Sequence, residues 1–160
     1  MRRLAAGLLA VGGLFVGTGA LAGTASATFQ VTATVNATCT ISAAPLAFGA
    51  YAGVLTNATS TITATCTNTT PYNVGLDPGT FAGATTSTRR MTGPDALGLG
   101  YALYRNAGRT QNWGDLIGTD TMAGTGNGAA QALSVYGQVP AGEYVAPGGY
   151  ADTITATVTF

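Results

Sequence analysis

Asp152-Thr153-Ile154-Thr155-Ala156-Thr157-Val158-Thr159-Phe160 is the stretch whose reading decides the fold. Ile154, Ala156, Val158 and Phe160 are apolar, and Thr153, Thr155, Thr157 and Thr159 alternate with them. Side chains along a strand point to opposite faces in turn, so this run has one apolar face and one hydroxylated face. Residues 60–68 repeat the device, with Ile62, Ala64 and Cys66 on one face and Thr61, Thr63, Thr65 and Thr67 on the other. Threonine is β-branched and fits a pleated surface, while its hydroxyl solvates the outer side. Further strands are predicted at 38–42, 46–51, 72–77, 99–106 and 133–139. Turn signals separate them, among them Asp77-Pro78-Gly79, Gly93-Pro94-Asp95, Pro140-Ala141-Gly142 and Pro147-Gly148-Gly149. The Gly-rich residues 124–128 read as a flexible loop. No amphipathic helix of ordinary length is present in the pattern. Short antiparallel strands punctuated by turns predict an all-β sandwich of immunoglobulin-like type.

The charge content excludes much chemistry. Only 8% of the 160 residues are charged, against about 25% in ordinary domains. There is no His and no Lys, and all six basic residues are Arg. Imidazole acid–base work, Schiff-base chemistry and histidine metal ligation are therefore out. The few scattered Arg cannot neutralise a phosphate backbone, so no nucleic-acid partner is expected.

The first residues read as an address. Arg2 and Arg3 precede an apolar run from Leu4 to Val16, and Ala25-Ser26-Ala27 is a small-x-small cleavage site. This is a secretory leader, residues 1–27. Beyond it, four Arg face six acids, a net charge of −2. Two cysteines in an exported chain read as one disulfide, Cys39–Cys66. Both share the parity of neighbouring apolar positions, so both are expected to face inward. Closing that loop should contribute roughly 3–4 kcal/mol. A catalytic thiol would need a His partner, which the chain lacks.

Residues 28–36 open the mature chain with another alternation. Phe29, Val31, Ala33 and Val35 interleave with Gln30, Thr32, Thr34 and Asn36. Two readings stand side by side. The segment is either the first strand of its own sandwich or a strand given to the open sheet edge of another copy.

Several motifs then resemble one family. They are Val35-Asn36-Ala37-Thr38-Cys39, Phe48-Gly49, the second Cys within residues 61–67, Tyr101-Ala102-Leu103-Tyr104-Arg105-Asn106, Val135-Tyr136-Gly137-Gln138-Val139-Pro140 and Tyr150-Ala151-Asp152-Thr153. In order and spacing, residues 28–160 resemble the spore coat protein U domain family, which includes pilins of the archaic chaperone–usher pathway. The resemblance implies an incomplete sandwich lacking its last strand, over residues 37–160, with residues 28–36 as a donor strand. Phe29, Val31, Ala33 and Val35 would be the donor plugs. Ile154, Ala156, Val158 and Phe160 would border the acceptor groove. The implied partners are other copies or related subunits joined head to tail, a periplasmic chaperone and an outer-membrane usher. The implied location is the cell surface, reached through the periplasm.

The expected function is a structural subunit of a pilus or fimbrial shaft. The alternatives are a secreted or tip carbohydrate-binding module, or a coat protein that forms no discrete pilus. Trp113, Tyr101, Tyr104 and Tyr136 would serve a sugar platform or, more simply, a core. An enzyme would have to rely on Asp77, Asp95, Asp115, Asp120, Glu143 and Asp152, whose spacing brings no two together. No cofactor or metal is expected. Asp115, Asp120 and Asn127 lack the dense oxygen-ligand spacing of a calcium loop. The Arg89-Arg90 pair reads as solvated loop charge, and Arg105 and Arg109 as charge-pairing groups.

Overall fold

In the computed structural model, Gly19 and residues 21–94 and 96–160 are described. The charged and apolar parts of the leader and Asp95 lie outside the described residues. The chain divides at Thr34/Val35 into two units. Described residues of the first unit form no strand and are exposed. No helix occurs among the described residues, and every strand lies in the second unit.

The central pair of the sandwich is the long ladder between Thr56–Cys66 and Ala130–Val139. Cys39–Ala43 is β1, Thr56–Cys66 β2, Pro71–Leu76 β3, Arg90–Met91 β4 and Leu99–Gly100 β5. Ala102–Tyr104 is β6, Met122–Thr125 β7, Ala130–Val139 β8 and Ala156–Thr159 β9. One sheet has the order β1-β2-β8-β6 and the other β7-β3-β9, with β4 and β5 as a small separate pair. All pairings are antiparallel. The inner faces meet in one core. Ile62, Ala64, Leu103, Val135 and Val139 come from the first sheet, and Tyr72, Val74 and Leu76 from the second. Trp113 is 0% exposed between them, and its Nε1 donates to the Val74 carbonyl at 2.8 Å. It is therefore a core residue, not a sugar platform.

The disulfide forms as expected. Cys39 and Cys66 stand opposite each other in the β1–β2 ladder, with Cα atoms 4.1 Å apart. That is near the close spacing of a non-hydrogen-bonded antiparallel pair. The bridge thus joins two neighbouring strands at one end of the sandwich.

Three strand expectations need correction. Residues 46–51 form no strand. The chain leaves β2 after Ala44, whose N–H still donates to the Thr61 carbonyl, because Pro45 has no N–H to continue the ladder. The run 99–106 is broken at Tyr101, so that β5 pairs with β4 and β6 with β8. Residues 122–125 are a strand, although 124–128 read as a loop. Gly124 stands opposite Tyr72 in that ladder, and the Tyr72 ring occupies the space where a side chain on Gly124 would sit.

Arg89 overturns the reading of a solvated charge. It is 1% exposed, and burial lowers its affinity for the proton. Its guanidinium donates to the carbonyls of Asp77, Thr86, Leu76 and Trp113 at 2.7–2.9 Å. Arg105 and Arg109 also donate to carbonyls, of Thr121 and Gly137 among others. Arg109 additionally lies over the Tyr136 ring, 5.8 Å from its centroid.

Two stability tests follow from this core. Arg89→Met should orphan several buried carbonyls at about 1–3 kcal/mol each, and thermal unfolding should show a loss of at least that size. Cys39→Ser should cost about 2–5 kcal/mol. Equal melting of Cys39→Ser and the parent would contradict a formed bridge.

Candidate functional site: an open apolar groove

The two sheets do not close over the core on one side. A groove of about 1200 Å³ opens there. One wall is residues 43–53 and the other runs from 143 to 154, with Ile62, Leu76, Leu103 and Val135 beneath. Leu46 and Phe48 line it and lie against β8 at Gly137. The lining is mainly apolar, and the carboxylates that reach it are Glu143 and Asp152.

Main-chain groups beside the groove lack partners. β9 is an edge strand, paired to β3 on one side only. The Asp77 N–H donates to the Thr155 carbonyl at 3.1 Å, so Thr155, Thr157 and Thr159 direct their main chain toward β3. Antiparallel pairing alternates, and the N–H and C=O groups of Ala156 and Val158 therefore face the free edge. On the opposite wall, the main chain of residues 46–50 makes no hydrogen bond among the described residues. Unpaired strand edges of this kind are templates for another strand.

The sequence-derived residues are placed as follows. Ile154 and Ala156 line the groove. Val158 packs against the core, and Phe160 is 56% exposed. Phe29, Val31 and Val35 are 81–86% exposed, and Ala33 is exposed too. Residues 28–36 pair with no strand, and the first strand of the sandwich begins at Cys39. The reading of 28–36 as the first strand of its own sandwich does not describe this structure.

A polar hub pins the groove wall. Asp152 Oδ2 accepts from the Tyr101 hydroxyl at 2.6 Å. Its Oδ1 accepts from the Thr80 N–H, the Thr80 hydroxyl and the Thr153 N–H at 2.7–2.8 Å. Gly79, at φ +86°, lies so close that any side chain there would run into the Asp152 carboxylate. Asp77 acts reciprocally, accepting from Gly79 and Thr155 N–H groups at 3.1 and 3.0 Å. The end of β3 and the approach to β9 are thus cross-tied. Partial burial alone would raise the Asp152 pKa. The hydrogen bonds from Tyr101, Thr80 and Thr153 outweigh it and hold the carboxyl below its usual value. Burial, and then the bond to Asp152, push the Tyr101 phenol up, so it stays a donor. Sequence reasoning missed this hub because Thr80, Tyr101 and Asp152 are far apart in the chain and form no motif.

Other acids serve their own loops. Asp120 Oδ1 accepts from the Leu116 N–H at 2.8 Å, and Asn127 Oδ1 from the Ala129 N–H at 2.9 Å. No group of three potential metal-ligating side chains is found among the described residues.

Comparison with known proteins adds three findings. The family model of the Spore Coat Protein U domain matches residues 25–157. Protein U of Myxococcus xanthus is 34% identical over 128 residues, covering 72% of this chain and 71% of that protein. A solved chain matches with a TM-score of 0.58 and 25% identity over 79% of this chain. It belongs to the CsuC–CsuE chaperone–tip adhesion subunit pre-assembly complex from the archaic chaperone–usher Csu pili of Acinetobacter baumannii. The match spans 40% of that solved chain's length.

The hub has a pH signature. A carboxyl held below its unfolded pKa of about 3.9 stabilises the fold above that value, and the stabilisation is lost as pH falls through the folded pKa. Acid titration of unfolding should therefore show a loss below about pH 4 that Asp152→Asn flattens. Tyr101→Phe should weaken the same dependence. A pH profile identical in Asp152→Asn and the parent would contradict the linkage.

Proposed function

Because the chain belongs to the Spore Coat Protein U domain family, we propose that it is a pilus-type surface subunit joined to its neighbours by exchange of β-strands. The observation that carries this reading is the groove. Its floor is the apolar core, one side is the free edge of β9, and the other is the unpaired main chain of residues 46–50. One additional strand would satisfy both sides.

Residues 28–36 have the composition of that strand. Nine residues extend to about 30 Å. Phe29, Val31, Ala33 and Val35 sit on one face, and no charge interrupts them. Burial of each large plug would contribute about 1.5–3 kcal/mol, and each ladder hydrogen bond about 0.5–1.5 kcal/mol. Given by one copy to the next, the contact is heterologous and propagates as a filament rather than closing. Until a copy arrives, the apolar groove needs a cover, and a periplasmic chaperone fits that need. An outer-membrane usher would manage the exchange, and the product would stand on the cell surface after transit through the periplasm. No catalytic residue, cofactor or metal enters this function.

The matched complex contains a tip adhesion subunit, which favours a second reading, a subunit at the filament end. The burial of Trp113 and Tyr101 removes two of the four aromatics a sugar platform would use and supports the shaft.

Val31→Arg with Val35→Arg should abolish multimers resistant to SDS without heating, while the secreted monomer persists. A synthetic peptide of residues 28–36 should bind the parent subunit and compete with multimer formation. Normal filaments from the double variant would refute the donor role.

A further inference from the structure

A second apolar surface continues the groove at its outer end. Tyr144 is 89% exposed, Val54 63% and Leu55 54%. They form one rim, because the Gly142 N–H donates to the Gly53 carbonyl at 3.0 Å and the Tyr144 ring lies against Gly53. The Tyr51 hydroxyl, bonded to Pro140 and Glu143, ties the same two segments. Gly53 and Tyr144 also line the groove, so the rim and the groove are one continuous surface.

The topology places this rim. β2 starts at Thr56, directly after Leu55, and runs toward the Cys39–Cys66 bridge. β3 begins at Pro71 on the bridge side, and Leu76 at its far end pairs with Ala156. Val54, Leu55 and the start of β9 therefore share the end of the sandwich opposite the bridge.

We propose that the rim of Val54, Leu55 and Tyr144 seats the bridge end of a second copy, the one whose donor strand fills the groove. This rests on the strand-exchange reading and adds a domain-to-domain contact to it. Antiparallel ladders are the more stable kind, so the donor runs antiparallel to β9, with Phe29 toward Phe160 and Val35 toward Ile154. Asn36 then emerges at the rim. In the donor copy, Thr38 is already fastened to its own domain. Its carbonyl accepts from the Thr67 N–H at 2.9 Å, and its N–H donates to Thr67 Oγ1 at 3.2 Å. Only Ala37 remains between inserted strand and folded domain, and one residue reaches at most about 3.6 Å. The donor's domain is thus held against the acceptor at the place where exposed apolar side chains wait.

The test uses full-length subunits carrying Val54→Ser and Leu55→Ser together, the two rim residues that lie outside the groove lining. Two quantities are measured: capture of a fluorescent peptide of residues 28–36, and the dissociation rate of multimers in SDS. The proposal expects parental peptide affinity with multimers that dissociate faster, about tenfold for the loss of one good apolar contact. Parental peptide affinity with an unchanged multimer rate would overturn the rim contact and leave the groove reading standing. Loss of peptide capture in the variant alone would make the rim part of the groove, and would also overturn the proposal. Failure of the parent subunit to capture the peptide would remove the strand-exchange reading and the rim contact with it.

Discussion

Main-chain groups that lose water must find hydrogen-bond partners, and this requirement organises the molecule. β2 and β8 satisfy it along ten opposed residue pairs, and the rest of the first sheet is built outward from them. The second sheet satisfies it only as far as β9. Past that strand lies an apolar floor with a free backbone edge on one side and residues 46–50 on the other. A sandwich left open there offers both halves of a strand's requirement, ladder partners and an apolar face. In the strand-exchange reading, apolar burial would reward occupation of the groove, and the backbone edge would select an extended segment as its occupant.

The interior meets the same requirement with unusual means. Arg89 is buried without a carboxylate against it as a direct hydrogen-bond partner. Its guanidinium instead collects four carbonyls from the end of β3, the 86 region and Trp113. A planar fork of donors suits that role, whereas an ammonium would reach fewer acceptors in one plane. The Asp152 carboxylate is the complementary device, an acceptor that gathers hydroxyl and N–H donors from three segments. Together these two charged groups hold irregular backbone where strands end and the groove begins. They explain how a charge-poor chain keeps a defined groove wall through hydrogen bonds from and to main-chain and hydroxyl groups.

Much of this was legible in the alternation of side chains. The threonine-faced runs at 60–68 and 152–160, which overlap β2 and β9, and the inward set Ile62, Ala64, Ile154 and Ala156 follow from period two, and the Cys39–Cys66 bridge from two cysteines in an exported chain. What the pattern could not show was whether a run has a neighbour. Leu46 and Phe48 alternate like strand residues and do point into the molecule, yet among the described residues their main chain pairs with no strand. Phe29 to Val35 alternate equally well and remain exposed. In both cases local preference is for a strand, and pairing is absent. Conversely, Met122–Thr125 lacks strand propensity and pairs because β3 offers an edge beside it. The Arg89 cluster and the Asp152 hub were illegible because their partners are mostly main-chain groups, which carry no residue signature.

The two segments that alternate without pairing are the strongest link between sequence and function. A chain that encodes strands it does not complete by itself is locally consistent and globally unfinished. Among the described residues, 28–36 pair with no strand, β9 pairs on one side only, and the main chain of residues 46–50 is unpaired. In the strand-exchange reading the deficits are complementary in polarity and side-chain period, and none requires a titratable group. That gives the scarcity of charge a positive sense. Threonine keeps the outer faces wet, while the contact surfaces remain neutral and apolar, so association by strand addition would be nearly indifferent to pH around neutrality. The hub at Asp152 makes the groove wall sensitive to acid instead, because its hydrogen bonds hold the carboxyl below its usual value.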